Sequence, residues 1–120
     1  MERRRICESD FRFMTVIWDN EPVTSMQLVQ LCEERLGWKK STTFTMLRKM
    51  CQKNFAKNEN SVVTSIVSRE QAQASESELF VEQTFAGSLP QFLVSFLGGK
   101  TISEEETEEL KRLIDEHRES

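Results

Sequence analysis

Ser41, Thr45, Arg48 and Gln52 recur at intervals of three and four within GWKKSTTFTMLRKMCQKN, residues 37–54. Lys39, Lys40, Lys49 and Lys53 stand beside them, and the stretch contains no acid. Hydroxyl, amide and guanidinium groups on one helical face can hydrogen-bond to base edges in a major groove, while lysines around them neutralise phosphates. A solvated basic face on an ordinary amphipathic helix has the same composition, and at this level both readings stand.

Other chemistry is poorly provided for. His117 is the only histidine, which leaves no histidine-centred acid–base pair or metal cluster to build. Cys7, Cys32 and Cys51 lie 25 and 19 residues apart with no CxxC, so neither a zinc nor a copper-thiolate site is spelled out. Their odd number also argues against a secreted disulfide framework. With no glycine-rich phosphate loop either, the usual enzyme constellations are excluded, and no cofactor, metal or small-molecule substrate is expected.

The basic stretch needs elements to hold it. Phe11, Met14, Ile17 and Trp18 keep helical spacing after an acidic first turn, Glu8 and Asp10, and stop before Asn20-Glu21-Pro22, which predicts a helix over 8–19. Thr24 stands as the N-cap of a second helix over 25–36, carrying Leu28, Val29, Leu31, Cys32 and Leu36 and closed by Gly37. A third opens at Lys40 or Ser41, buries Thr43, Met46, Leu47 and Met50, and ends at Asn54 as a left-handed cap. At 100° per residue, Ser41, Thr45, Arg48 and Gln52 then fall opposite the apolar stripe. The turn formers Asn58-Glu59-Asn60-Ser61 and the β-branched run from Val62 to Val67 read as a short hairpin over 55–67. Three helices followed by a hairpin is the order of a winged helix-turn-helix.

Ser68-Arg69-Glu70-Gln71 is a capping box that starts a long helix reaching Phe85-Ala86, closed by Gly87. SLPQFLVSFLGGK, from Ser88, is the most hydrophobic window, with its proline in a first helical turn. A last helix starts at Ser103 and carries Leu110, Leu113 and Ile114 on one side. The predicted fold class is mainly α with a small β-hairpin, divided into a winged-helix part, 1–67, and a helical part, 68–120. Charge divides at the same place: 11 lysines and arginines against 8 acids in the first part, 5 against 12 in the second. The net charge of −4 therefore conceals a basic front half suited to nucleic acid. No apolar run approaches the roughly 20 residues of a membrane span, and MERRRICESD lacks the apolar core of a secretory signal, so a soluble cytoplasmic protein is expected.

FRFMTVIW (11–18), Gly37-Trp38, STTFTMLRKM (41–50), VSREQ (67–71), FAGSL (85–89) and ISEEETEELKRLI (102–114), in this order and at this spacing, cover nearly the whole sequence. Together they resemble the penicillinase and methicillin-resistance repressors, small bacterial winged-helix transcriptional regulators. The resemblance implies a homodimer that binds double-stranded palindromic operator DNA with TACA/TGTA-like half-sites and acts in negative regulation of transcription. It places Ser41, Thr42, Thr45 and Arg48 on the reading helix, and Lys39, Lys40 and Lys49 around it near phosphates. It assigns dimerisation to Phe85, Leu89, Phe92, Leu93, Phe96, Leu97, Leu110, Leu113 and Ile114. In relatives tied to β-lactam resistance, a membrane-bound sensor with a metallopeptidase domain triggers cleavage of an Asn-Phe bond, and the matching positions here are Ser95 and Phe96. The paired C-terminal cysteines of copper-responsive relatives are absent.

Three features depart from the family pattern. Phe44 stands where a long polar residue is usual and either packs on a thymine methyl or covers the second helix. The hairpin is short, lacks tyrosine and sets Lys57 against Glu59. Arg3, Arg4 and Arg5 supply either a basic arm or a solubilising tail. The alternative function is a winged-helix protein interaction module that has lost specific DNA binding.

Overall fold

A computed structural model describes residues 6–119; Arg3, Arg4 and Arg5 lie outside them. α1 (Glu8–Asn20) buries Phe13, Met14, Val16 and Ile17, the stripe that its apolar spacing dictates, and Asp10 with them. α2 (Ser25–Leu36) begins at the predicted N-cap: the Gln27 N–H donates to Thr24 Oγ1 at 3.1 Å, and the Thr24 N–H donates to Gln27 Oε1 at 3.0 Å. It ends at Gly37, whose φ of 69° is the left-handed conformation expected there. α3 (Lys40–Gln52) buries Thr43, Leu47 and Met50 with Met46 half-buried, and Asn54 beyond it has a φ of 64°. Leu28, Cys32, Phe55, Ala56 and Val63 complete one apolar core with these helices.

Three short strands close that core: β1 (Val23–Thr24), β2 (Ala56–Glu59) and β3 (Val62–Ser65), antiparallel in the order β1-β3-β2. β1 is an addition to the expected hairpin. Two residues carry no readable periodicity; pairing with β3, Val23 opposite Val63 and Thr24 opposite Val62, makes them a strand. The hairpin turn is also tighter than expected. Asn58 and Glu59 pair within the ladder, and only Asn60 and Ser61, at φ 53° and 64°, make the turn. Two positive φ values in a two-residue loop match the right-handed twist of the flanking strands. The Ser65 N–H and hydroxyl both donate to the Glu21 carboxylate, at 2.8 and 2.9 Å to Oε1, tying β3 to the end of α1. The succession α1-β1-α2-α3-β2-β3 is a winged helix-turn-helix.

The remaining helices are α4 (Arg69–Phe85), α5 (Leu89–Leu97) and α6 (Glu104–Glu116). Ser68 and Gln71 form the reciprocal box at the start of α4, with bonds of 2.9 and 3.1 Å. Ser88 and Ser103 cap α5 and α6 by accepting from the N–H groups of Gln91 and Glu106. Two compact units part between Phe80 and Val81, inside α4. In the first, Arg69 lies over the Trp18 ring, 5.6 Å from its centroid, and donates with Arg35 to Asp19. The Trp18 indole N–H donates to the Val67 carbonyl at 3.0 Å. In the second, Phe92 meets Phe85 edge-on at 5.6 Å and Phe96 at 5.7 Å, and no residue of α5 or α6 is fully buried.

Candidate nucleic-acid interface

The turn between α2 and α3 fixes where α3 begins. Gly37 reverses the chain, its N–H donating to the Glu33 carbonyl at 3.1 Å, and the Trp38 N–H reaches the Cys32 carbonyl at 3.3 Å. Trp38 then stacks on Phe13 of α1, with centroids 5.9 Å apart and planes within 10°. An aromatic pair so placed holds the short link against the core, leaving Lys39 as N-cap and Lys40 as the first residue of α3. The first turn of α3 holds no acid, so its partial positive charge and the charges of Lys39 and Lys40 add.

Ser41, Thr42, Thr45, Arg48 and Gln52 are all exposed. Ser41, Thr45, Arg48 and Gln52 lie on the side opposite Thr43, Leu47 and Met50, which are buried. Arg48 has no ion-pair partner among the described residues. Its five guanidinium donors remain available for a planar acceptor, whether a base edge or a phosphate. Phe44 is half-buried and is not among the half-buried apolar side chains packed on the core; the Lys40 ammonium lies over its ring at 5.9 Å. Lys40 and Phe44, four residues apart, therefore form one flank of this surface.

Lys49 is placed differently from the other predicted contacts. Its Nζ donates to Asp10 Oδ1 at 3.0 Å, and Lys53 Nζ donates to Asp10 Oδ2 at 3.2 Å. The Cys7 N–H donates to Oδ2 as well, at 3.4 Å. Burial pushes the Asp10 carboxyl up, but the hydrogen bonds from Lys49, from the Cys7 thiol, from Lys53 and from the Cys7 N–H outweigh it, and the group titrates below its ordinary value of 3.8. Asp10 in turn raises Lys49 above 10.5. Sequence reasoning missed this cluster, although one signal was present: Asp10, Phe13, Met14 and Ile17 share one helical stripe, so Asp10 belongs to the buried face. A carboxylate on such a face needs cationic partners. Which lysines answer that need is decided only by how α3 crosses α1.

The wing offers less. Lys57 Nζ lies 3.8 Å from Glu59 Oε1, a loose exposed pair on the same strand that cancels the charge of an already short hairpin. In the second unit, Phe85, Phe92, Leu93 and Leu97 are half-buried, while Leu89, Phe96, Leu110, Leu113 and Ile114 are exposed. Ser95 and Phe96 sit in the last turn of α5, both exposed, with the Lys100 ammonium 4.7 Å from the Phe96 ring centroid. Among the described residues there is no cluster of histidine, cysteine and acid able to hold a metal ion, and no helix is long and apolar enough to cross a membrane.

Comparison with known proteins gives three findings. The family model described as penicillinase repressor matches residues 6–116. The penicillinase repressor of Bacillus licheniformis is 22% identical over 118 residues, covering 95% of this chain and 92% of that protein. A Staphylococcus aureus MarR structure, in complex with salicylate and kanamycin, superposes with a TM-score of 0.47 at 16% identity, covering 92% of this chain and 70% of that one.

Proposed function

The chain belongs to the penicillinase repressor family, whose members are transcriptional repressors and not enzymes, and on that premise we propose that it is a dimeric, sequence-specific DNA-binding repressor. Residues 1–67 bind operator DNA in this reading and residues 68–120 join two copies. The observation that carries it is the outer face of α3, where Ser41, Thr45 and Arg48 stand exposed together without a carboxylate, on a helix whose opposite face is locked into the core. Such a helix fits a major groove with its first turns against base edges, and two-fold symmetry of the protein calls for paired half-sites about one helical turn apart. Ser41, Thr42, Thr45 and Arg48 read bases; Lys39 and Lys40 hold phosphates.

Relief of repression by proteolysis at Ser95–Phe96, set off by a membrane-bound sensor peptidase, belongs to the same reading. The bond lies in a helix, so a peptidase has to unwind the last turn of α5 before the chain can extend into its cleft.

A labelled duplex with inverted TACA/TGTA-like half-sites, titrated with the protein over a range of salt, tests the proposal. Binding tighter than to a scrambled duplex, falling steeply with salt, is the expected result. Failure to bind either duplex at moderate salt removes the repressor reading and leaves the interaction module, which the paired Lys57 and Glu59 of the wing would suit.

A further inference from the structure

We infer that Asp10 is a positioning residue for α3: its carboxylate ties Lys49 and Lys53 to α1 and withholds both ammonium groups from DNA phosphates, so that phosphate contact falls to the start of the helix. The inference rests on the DNA-binding reading and adds which cations carry it.

Both carboxylate oxygens are engaged, Oδ1 by Lys49 at 3.0 Å and Oδ2 by Lys53 at 3.2 Å and the Cys7 N–H at 3.4 Å. The Asp10 side chain is 1% exposed, against 43% and 35% for the two lysines. This asymmetry decides the matter. An exposed lysine exchanges water for phosphate at little cost, but a lysine that leaves Asp10 strands a dehydrated carboxylate, and a buried charge without its partner is strongly destabilising. Lys49 in the last turn of α3 and Lys53 at its C-cap are four residues apart, so they project to one side and grip the same group. Arg48, adjacent to Lys49, is rotated 100° away and exposed. Asp10 itself sits in the first turn of α1, where the helix dipole favours a carboxylate. One buried acid thus fixes the C-terminal half of α3 against α1 and sorts the basic residues of that helix into scaffold and contact groups.

Two measurements on the full chain test this. In the first, the wild-type protein is acylated sparingly at its amines with and without a random-sequence duplex, and modification at each lysine is read by mass spectrometry. Lys39 and Lys40 become protected severalfold, while Lys49 and Lys53 change by less than about twofold. Protection of Lys49 matching that of Lys39 overturns the inference. In the second, Asp10→Asn binds the random duplex about three- to tenfold more tightly at roughly 0.1 M salt, with a log–log salt slope steeper by about one to two, because each phosphate neutralised contributes about 0.9. Asp10→Glu, which keeps the charge, restores wild-type values. A folded Asp10→Asn with an unchanged salt slope overturns the inference, since a purely structural role would lower stability and leave the slope alone. If Asp10→Asn does not fold, the wild-type protection pattern decides. Absence of binding to any duplex overturns both readings, whereas binding with Lys49 protected overturns this one only.

Discussion

Arg48 and Lys49 are neighbours in sequence and opposite in circumstance. One is exposed without an ion pair among the described residues, and the other is bound to a buried acid on another helix. The family resemblance placed both near the DNA, and periodicity shows on which side a residue projects and not what it meets. Arg48→Ala is expected to cost about 1–3 kcal/mol of discrimination between an operator-type and a scrambled duplex, the worth of one bidentate base contact. Competition binding reads this directly; equal weakening on both duplexes would make Arg48 a phosphate contact instead. At Asp10 the prediction concerns acid. Its carboxyl is held below 3.8, with burial opposing and Lys49, Cys7 and Lys53 prevailing. A carboxylate whose folded pKa is depressed stabilises above the unfolded value and loses that contribution as pH falls through the folded one. The stability advantage of wild type over Asp10→Asn is therefore constant from neutral pH down to about 4 and shrinks below it. Urea midpoints of the two proteins across that range check the sign: an advantage that persists undiminished in strong acid contradicts the ion cluster.

Among the elements, the helices and the hairpin of β2 and β3 were legible and β1 was not, for a physical reason. The starts of α2 and α4 are written in adjacent residues, Thr24 with Gln27 and Ser68 with Gln71, because a cap is a local hydrogen bond. β1 is a strand only because β3 lies beside it, and a partner 38 or more residues away leaves no mark on Val23-Thr24. Asp10 was illegible for the same reason: its role depends on residues of α3 far along the chain. The hairpin turn yields a prediction. Ser61 has a φ of 64°, where a Cβ is disfavoured, and Asn followed by Gly is the preferred pair for this turn. Ser61→Gly should stabilise the protein by about 0.5–1 kcal/mol, the relief of left-handed strain less the added backbone entropy of glycine. Its carbonyl, which accepts from the Ser25 N–H at 2.9 Å, is unaffected by the change. Chemical denaturation with an unchanged slope measures the gain; destabilisation would mean that the serine side chain contributes to the turn.

At the scale of the whole molecule, the proposed repressor assigns different work to its two halves, DNA contact to the basic one and association to the acidic one. The first unit has an apolar core of its own. In the second, α5 and α6 have no fully buried residue, and Val94, Ile114 and Phe96 are 69%, 61% and 55% exposed. Exposed apolar side chains concentrated in so short a segment suit an association surface, and in the proposed dimer a second copy supplies a matching one by symmetry. In the repressor reading, the twelve acids of residues 68–120 disfavour DNA at that half, which is consistent with approach to the α3 face. Dimerisation then has three measurable consequences. The unfolding midpoint of the wild type rises with protein concentration, since a dimer dissociates on unfolding. Leu113→Glu combined with Ile114→Glu, both exposed positions in the single chain, sediments as a monomer with the helical content of the first unit intact. The same variant binds a duplex with two half-sites no better than a duplex with one, because joined modules gain by making the second contact intramolecular. A wild-type chain that sediments as a monomer at every concentration, with a midpoint independent of concentration, would reverse the assignment: α5 and α6 would then have to be covered by another protein, and operator half-sites need not be paired.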